Sequence, residues 1–239
     1  PTAPEVRRLY PPRDQALPLY LQEQGAVVGK SSRSLTVKKS GDLVLRTGLK
    51  DVSQLVLCGN ISVTPQAVHL LCEAGIPIVH LSMGHWFYGI TQGIGLRNAF
   101  ARVAQYRAAE SPDLCLAASK AFVRGKALNQ RTFLRRNAQG LPKSVLESMA
   151  RLVSSIDQAT APASLLGLEG SVARLYFQNF HLLLRPRDFP AEWEFTHRNR
   201  RPPRDPVNAM LSFAYAMLAK ECTVAVLAEG LDPWLGLYH

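Results

Sequence analysis

An α+β fold, with a β-rich N-terminal part followed by an all-α C-terminal part, is what three features of the sequence predict. Short Val- and Leu-rich runs separated by turn residues fill positions 17–94. Apolar residues at i, i+3, i+4 spacing dominate positions 95–239. The texture changes once, near residues 92–97, without internal repeats or low-complexity stretches, so one β-rich domain (17–94) and one helical domain (95–239) are expected.

The elements follow in order. Residues 1–16, rich in proline and charge, read as a linker or terminal segment. LPLYLQ, AVVGK, SLTVKK, DLVLR and LVLCGNISV read as strands, and Ser40-Gly41 between the third and fourth marks a hairpin. Pro65 opens a short helix that Gly75 closes. IPIVHL and HWFYGIT read as two further strands. Residues 98–110, 114–136, 143–156, 163–184 and 205–230 carry helical periodicity; the last starts with Asp205 as N-cap and Pro206 in the first turn, and ends at Gly230. The chain begins with Pro1 rather than Met and stops at His239 after a turn-rich GLDPWLGLY. It is therefore expected to be a middle piece of something longer, its helical domain truncated at the C-terminus.

The 239 residues carry 28 Lys and Arg against 18 Asp and Glu, a formal charge of +10, with 47% hydrophobic residues. That composition excludes a disordered or collagen-like chain. No uninterrupted apolar run approaches the roughly 18 residues a bilayer needs, so no membrane association is expected. Excess positive charge favours an anionic partner, nucleic acid foremost. Between Arg97 and Arg136 nine basic residues face two acids. A second group, Arg198, Arg200, Arg201 and Arg204, lies on a Pro-rich segment feeding a helix N-terminus, where it either clamps a phosphate or forms a solvated loop. Cys58, Cys72, Cys115 and Cys222 have no metal-ligand spacing, and with no signal peptide visible a cytoplasmic location is expected.

Glu169 is the most informative single residue. Leu165, Leu166, Val172, Ala173 and Tyr176 lie three, four or seven positions from it and share its helical face. A carboxylate there needs a metal, a proton or a cation such as Arg174 to compensate burial. Gly167 and Gly170 bracket it, each weakening the helix by about 1 kcal/mol, which points to a close approach to the backbone. Asn208, Ser212 and Tyr215 form a polar stripe on the last helix that either positions a phosphate or water or caps a neighbouring helix. His69, His80, His85, His181 and His197 lack partners at ligand spacing. Gly93-Ile94-Gly95 is followed by Asn98 where a dinucleotide fingerprint requires a third glycine.

GLEGSVARLYF (167–177), NRRPPRDPVNAMLSFAYAML (199–218) and GLDPWLGLYH (230–239) together resemble the motif set of the CRISPR-associated adaptation integrase, the endonuclease of this antiviral defence that inserts spacers into CRISPR arrays. The resemblance spans residues 17–239 and implies a β-rich dimerisation domain before a helical catalytic domain. It implies that Glu169 and His239 are catalytic ligands of Mg²⁺ or Mn²⁺, with a third acidic ligand beyond residue 239. It further implies DNA contacts from Arg174, Arg198, Arg200, Arg201, Arg204, Asn208, Ser212 and Tyr215, and transesterification by a 3′-hydroxyl of the spacer precursor on the CRISPR repeat. The partners implied are a second copy of the chain, a small ferredoxin-like adaptation protein and a fused iron–sulfur adaptation exonuclease. The alternative is a non-catalytic DNA-binding scaffold with an incomplete metal site.

Overall fold

A computed structural model describes residues 16–94, 99–184, 193, 195–199 and 202–238. Two compact units emerge from the packing: one within Pro1–Arg97 with Ala216–Gly230, the other Asn98–Tyr215 with Leu231–His239.

The first unit holds two four-stranded sheets. The strands are β1 (Leu17–Leu21), β2 (Val27–Ser31), β3 (Ser34–Lys39), β4 (Asp42–Gly48), β5 (Val52–Cys58), β6 (Ser62–Val63), β7 (Ile78–Leu81) and β8 (Phe87–Thr91). One sheet runs β1-β5-β7-β8, parallel except for the β7–β8 pair; the other runs β4-β3-β2-β6, antiparallel except for β2–β6. Ser40 (φ 52°) and Gly41 (φ 96°) both take the left-handed conformation demanded by the tight β3–β4 turn. Helix α1 (Pro65–Glu73) starts at Thr64, whose hydroxyl accepts from the Ala67 N–H at 3.3 Å, and stops before Gly75 at φ 65°.

β5 organises this unit because it is covered on both faces. Leu55 and Leu57 point into a core with Leu35, Val37, Leu71 and Ile78, while Val56 and Cys58 on the opposite face meet Val79, Leu81, Met217 and Val224. The last two belong to the second part of a long helix, α6 (Pro206–Ala228). A boundary at 94/95 therefore does not describe the packing: Ala216–Gly230 goes with the sheets because its apolar face covers the second side of β5. Lys220, 1% exposed, reaches Glu221, the Gln54 carboxamide oxygen (3.4 Å) and the Tyr20 hydroxyl (3.2 Å). By length and composition α6 is apolar enough to cross a membrane, correcting the expectation that no such segment exists. Alanines between its larger residues raise the hydropathy where no long aliphatic run catches the eye.

The second unit is helical: α2 (Ala99–Ala109), α3 (Pro112–Asn137), α4 (Lys143–Ile156), α5 (Pro162–Gln178) and the start of α6. Val123, Ala127 and Leu134 of α3 pack with Met149, Val153 and Ile156 of α4 and Leu165 and Val172 of α5. The helix expected over 163–184 ends at Gln178 and gives way to a 3₁₀ turn, Phe180–Leu183. Asn179 accounts for the break: its side-chain amide donates to the Leu175 carbonyl at 2.8 Å, closing the last turn. Phe180 then packs on Phe195, ring centroids 4.9 Å apart, fixing the segment that leads to α6.

Candidate functional site

Glu169 projects from α5 at the margin of its buried face. Leu165 and Val172 are buried as the periodicity requires, whereas Leu166 is 53% exposed, so the apolar stripe is narrower than expected. The carboxylate is 17% exposed and is held from two sides: the Lys126 ammonium of α3 donates to Oε1 at 2.6 Å, and the Tyr238 hydroxyl donates to Oε2 at 3.1 Å. Burial first, and then the hydrogen bond to Glu169, pushes the Tyr238 phenol up from its usual range. Arg174, the cation offered by the sequence, is exposed on α5 and makes no ion pair among the described residues. Gly167 and Gly170 are not crowded by the protein itself, since a Cβ at either would meet nothing within 4 Å. The backbone of α5 beside Glu169 is open.

Tyr238 is carried to Glu169 by a loop tied down along its length. The Asp232 N–H donates to Gln105 Oε1 (2.8 Å), and Gln105 Nε2 donates back to the Asp232 carbonyl (2.8 Å) and to that of Leu235 (3.3 Å). The Tyr106 hydroxyl donates to Asp232 Oδ2 at 2.7 Å, while Oδ1 accepts the Trp234 N–H at 2.8 Å. Those two bonds, the Tyr106 one foremost, hold the Asp232 carboxyl below the usual range. Ser119 of α3 donates to the Leu237 carbonyl at 3.4 Å. Sequence reasoning missed Gln105, Tyr106 and Ser119 and counted Lys126 only among the basic residues; the GLDPWLGLYH motif (230–239), rich in turn residues, marked the loop.

A second group gathers four of the residues singled out in the sequence. Arg198 donates through Nη1 to Asn208 Oδ1 (2.7 Å) and through Nη2 to Ser212 Oγ (3.2 Å), with its guanidinium 5.7 Å from the centre of the Tyr215 ring. Asn208, fully buried, also accepts from the Asn199 N–H (3.0 Å) and donates to the His197 carbonyl (2.9 Å) and Asp205 Oδ2 (2.7 Å). Asp205 caps α6 by accepting the Asn208 N–H at 2.8 Å. Asn208 and Ser212 of the polar stripe fasten residues 197–199, a loop and not the neighbouring helix expected, to the helix start. Arg204 is exposed beside it; Arg200, Arg201 and His239 lie outside the described residues.

The two groups share α5. Tyr176, whose phenol is pushed up to about 12 by burial and then by the charge of Tyr215, stands seven residues after Glu169. That places it about 10 Å farther along the axis. The chemistry of the first group suits a hard divalent cation, because a carboxylate that already binds an ammonium at 2.6 Å is oriented to hold positive charge. Among the described residues no three His, Cys, Asp or Glu converge on one point.

A family profile described as CRISPR associated protein Cas1 matches residues 19–239. A Cas4/Cas1 exonuclease–endonuclease fusion from Geobacter sulfurreducens is 41% identical over 242 residues, covering 98% of this chain and 43% of that protein. A Cas1 endonuclease from Thermus thermophilus is 39% identical over 225 residues, covering 92% of this chain and 64% of that one. Among solved structures, a Cas6-RT-Cas1–Cas2 complex superposes with a TM-score of 0.72 at 29% identity, over 94% of this chain and 25% of that one. A Cas1 protein from Thermotoga maritima shares the fold at 18% identity, with a TM-score of 0.77 over 93% of this chain and 68% of that one. The chain thus spans less than half of the fusion protein and about two thirds of the stand-alone relative.

Proposed function

The chain belongs to the Cas1 family of CRISPR-associated proteins, and from that premise we propose that it is part of a metal-dependent DNA integrase and endonuclease of CRISPR adaptation. The observation that carries the reading is the Glu169 carboxylate, set at the edge of an apolar helix face and fixed by Lys126 and Tyr238 beside an open stretch of backbone.

In the proposed reaction a 3′-hydroxyl of the spacer precursor attacks a phosphodiester of the repeat. A new P–O bond forms, the bond to the displaced 3′-oxygen breaks, the proton of the attacking hydroxyl passes to solvent, and the displaced 3′-oxygen takes one from solvent to leave as a 3′-hydroxyl. Glu169 and His239, with an acidic residue farther along the natural protein, would hold Mg²⁺ or Mn²⁺, which supplies Lewis-acid polarisation of the phosphate. Tyr238 keeps the carboxylate in one orientation through its hydrogen bond to Oε2, and a cation would have to displace the Lys126 ammonium from Oε1. Lys126 balances the carboxylate charge until then. Arg174 and Arg204, both exposed, with Arg200 and Arg201, position the DNA through phosphate contacts. Arg198, Asn208, Ser212 and Tyr215 act one step back, holding the segment that leads to Arg204.

The partners proposed are DNA and a second copy of the chain through the β-rich unit, together with a Cas2-type adaptation protein and a Cas4-type exonuclease in fusion, the last two being those that relatives' names print for them. The ion pair at Glu169 favours a second reading, a DNA-binding scaffold without catalysis. Strand joining on a branched DNA with Mn²⁺, comparing the full-length natural protein with Glu169→Ala, separates the two. Loss of joining in the variant supports the integrase; equal rates leave the scaffold.

A further inference from the structure

Trp234 is 90% exposed, the most exposed tryptophan or tyrosine among the described residues. An indole has a large apolar face whose burial is strongly favourable, so soluble surfaces rarely present one without a partner. Its setting is rigid. The Trp234 N–H is fixed by Asp232 Oδ1, and Asp232 is fixed in turn by Gln105 and Tyr106 through bonds of 2.7–2.8 Å. An exposed aromatic on a preorganised loop binds at little entropic cost.

The surroundings specify the ligand. Tyr106, half exposed, hydrogen-bonds the same aspartate, and α2, which buries none of its residues, also exposes Phe100 and Val103 on the 100, 103, 106 stripe. The positive charge of Arg102 acts on Asp232, and Arg107 follows on the same helix. Within residues 97–136 nine basic side chains stand against two acidic ones, complementary to a polyanion and not to a second copy of this basic chain. Aromatics interleaved with arginines are what unpaired nucleic acid requires: stacking surfaces for bases and cations for phosphates. The loop leads to Tyr238, whose hydroxyl touches Glu169. Four residues of chain span at most about 14 Å, so the indole stands within a few nucleotides of that carboxylate.

We propose that Trp234, supported by Tyr106, is a stacking platform for an unpaired base of the DNA strand handled at Glu169, and so a positioning residue for that strand's end. The proposal rests on the integrase reading for its strand, but its test does not depend on chemistry.

Single-stranded oligonucleotides carrying one 2-aminopurine at successive positions from the 3′ end are titrated, without divalent metal, with the full-length natural protein and its Trp234→Ala and Trp234→Phe variants. Quenching at one or two adjacent positions is expected with the wild type. The alanine variant should lose it and bind single strands about tenfold more weakly, the phenylalanine variant should keep most of it, and blunt-duplex affinity should stay unchanged. Unaltered quenching and affinity in Trp234→Ala overturn the proposal. So does unaltered DNA binding combined with a changed oligomeric state, which assigns the indole to a protein contact. If Glu169→Ala still joins strands while the quench persists, the integrase reading fails and the platform stands.

Discussion

Lys126 and Glu169, 43 positions apart in sequence, meet at 2.6 Å across α3 and α5. The lysine is about half exposed, so the pair is worth no more than about 1 kcal/mol to the fold. Its larger consequence is competition, since a divalent cation approaching Oε1 has to displace an ammonium. Lys126→Met is therefore expected to tighten Mn²⁺ binding about two- to fivefold, measured by calorimetry or by Mn²⁺ electron paramagnetic resonance, with little change in stability. Weaker binding in the variant would make Lys126 a support of the site instead of a competitor.

Gly170 sits one residue from Glu169 with open space where a Cβ would go. Gly170→Ala should stabilise α5 by about 0.5–1 kcal/mol, seen as a higher urea midpoint, while strand joining falls if DNA lies against that backbone. A lower midpoint would contradict the open geometry.

Gly93 presents the opposite case. A Cβ there would stand 2.5 Å from the Cys72 carbonyl oxygen and 3.0 Å from its carbon, both backbone atoms that cannot swing aside. Gly93→Ala should cost about 1–3 kcal/mol in denaturant unfolding. An unchanged midpoint would show that α1 and the strand β8 separate more easily than their packing implies.

Burial pushes the Asp205 carboxyl up, but hydrogen bonds from the Asn208 N–H, the Asn208 side chain and Asn199 outweigh it and hold the group below its ordinary value of 3.8. A lowered folded-state pKa gives stability that is complete above the unfolded value and lost as pH falls through the folded one. Comparing wild type with Asp205→Ala, an N-cap gap of about 1 kcal/mol at neutral pH should close below about pH 3.8. A gap that widens on acidification would refute the assignment.

Much of the β-rich unit was legible because its signals are local. Ser40-Gly41 marked the hairpin, and Pro65 and Gly75 bracketed α1 where the structure has them. Glu169 was legible as an acid on an apolar face, but its partner was not. Arg174, five residues on, lies about 140° round the helix, whereas Lys126 arrives from another helix by tertiary packing. The break at Asn179 depends on one side-chain hydrogen bond that periodicity does not register. The attachment of Ala216–Gly230 to the sheets depends on β5 having a second apolar face to cover, a long-range demand that no window of sequence contains. Arg198 was legible as a basic residue near a helix start, and only the buried Asn208 reveals that it serves the loop's geometry.

The most direct measurement is strand joining by the full-length natural protein carrying Glu169→Gln, an isosteric change that removes the charge and turns one acceptor oxygen into an amide donor. With Mn²⁺ on a branched substrate, the rate should fall at least about a hundredfold, while DNA affinity and thermal stability stay within error of wild type. A variant that joins strands at the wild-type rate would contradict the account at its centre.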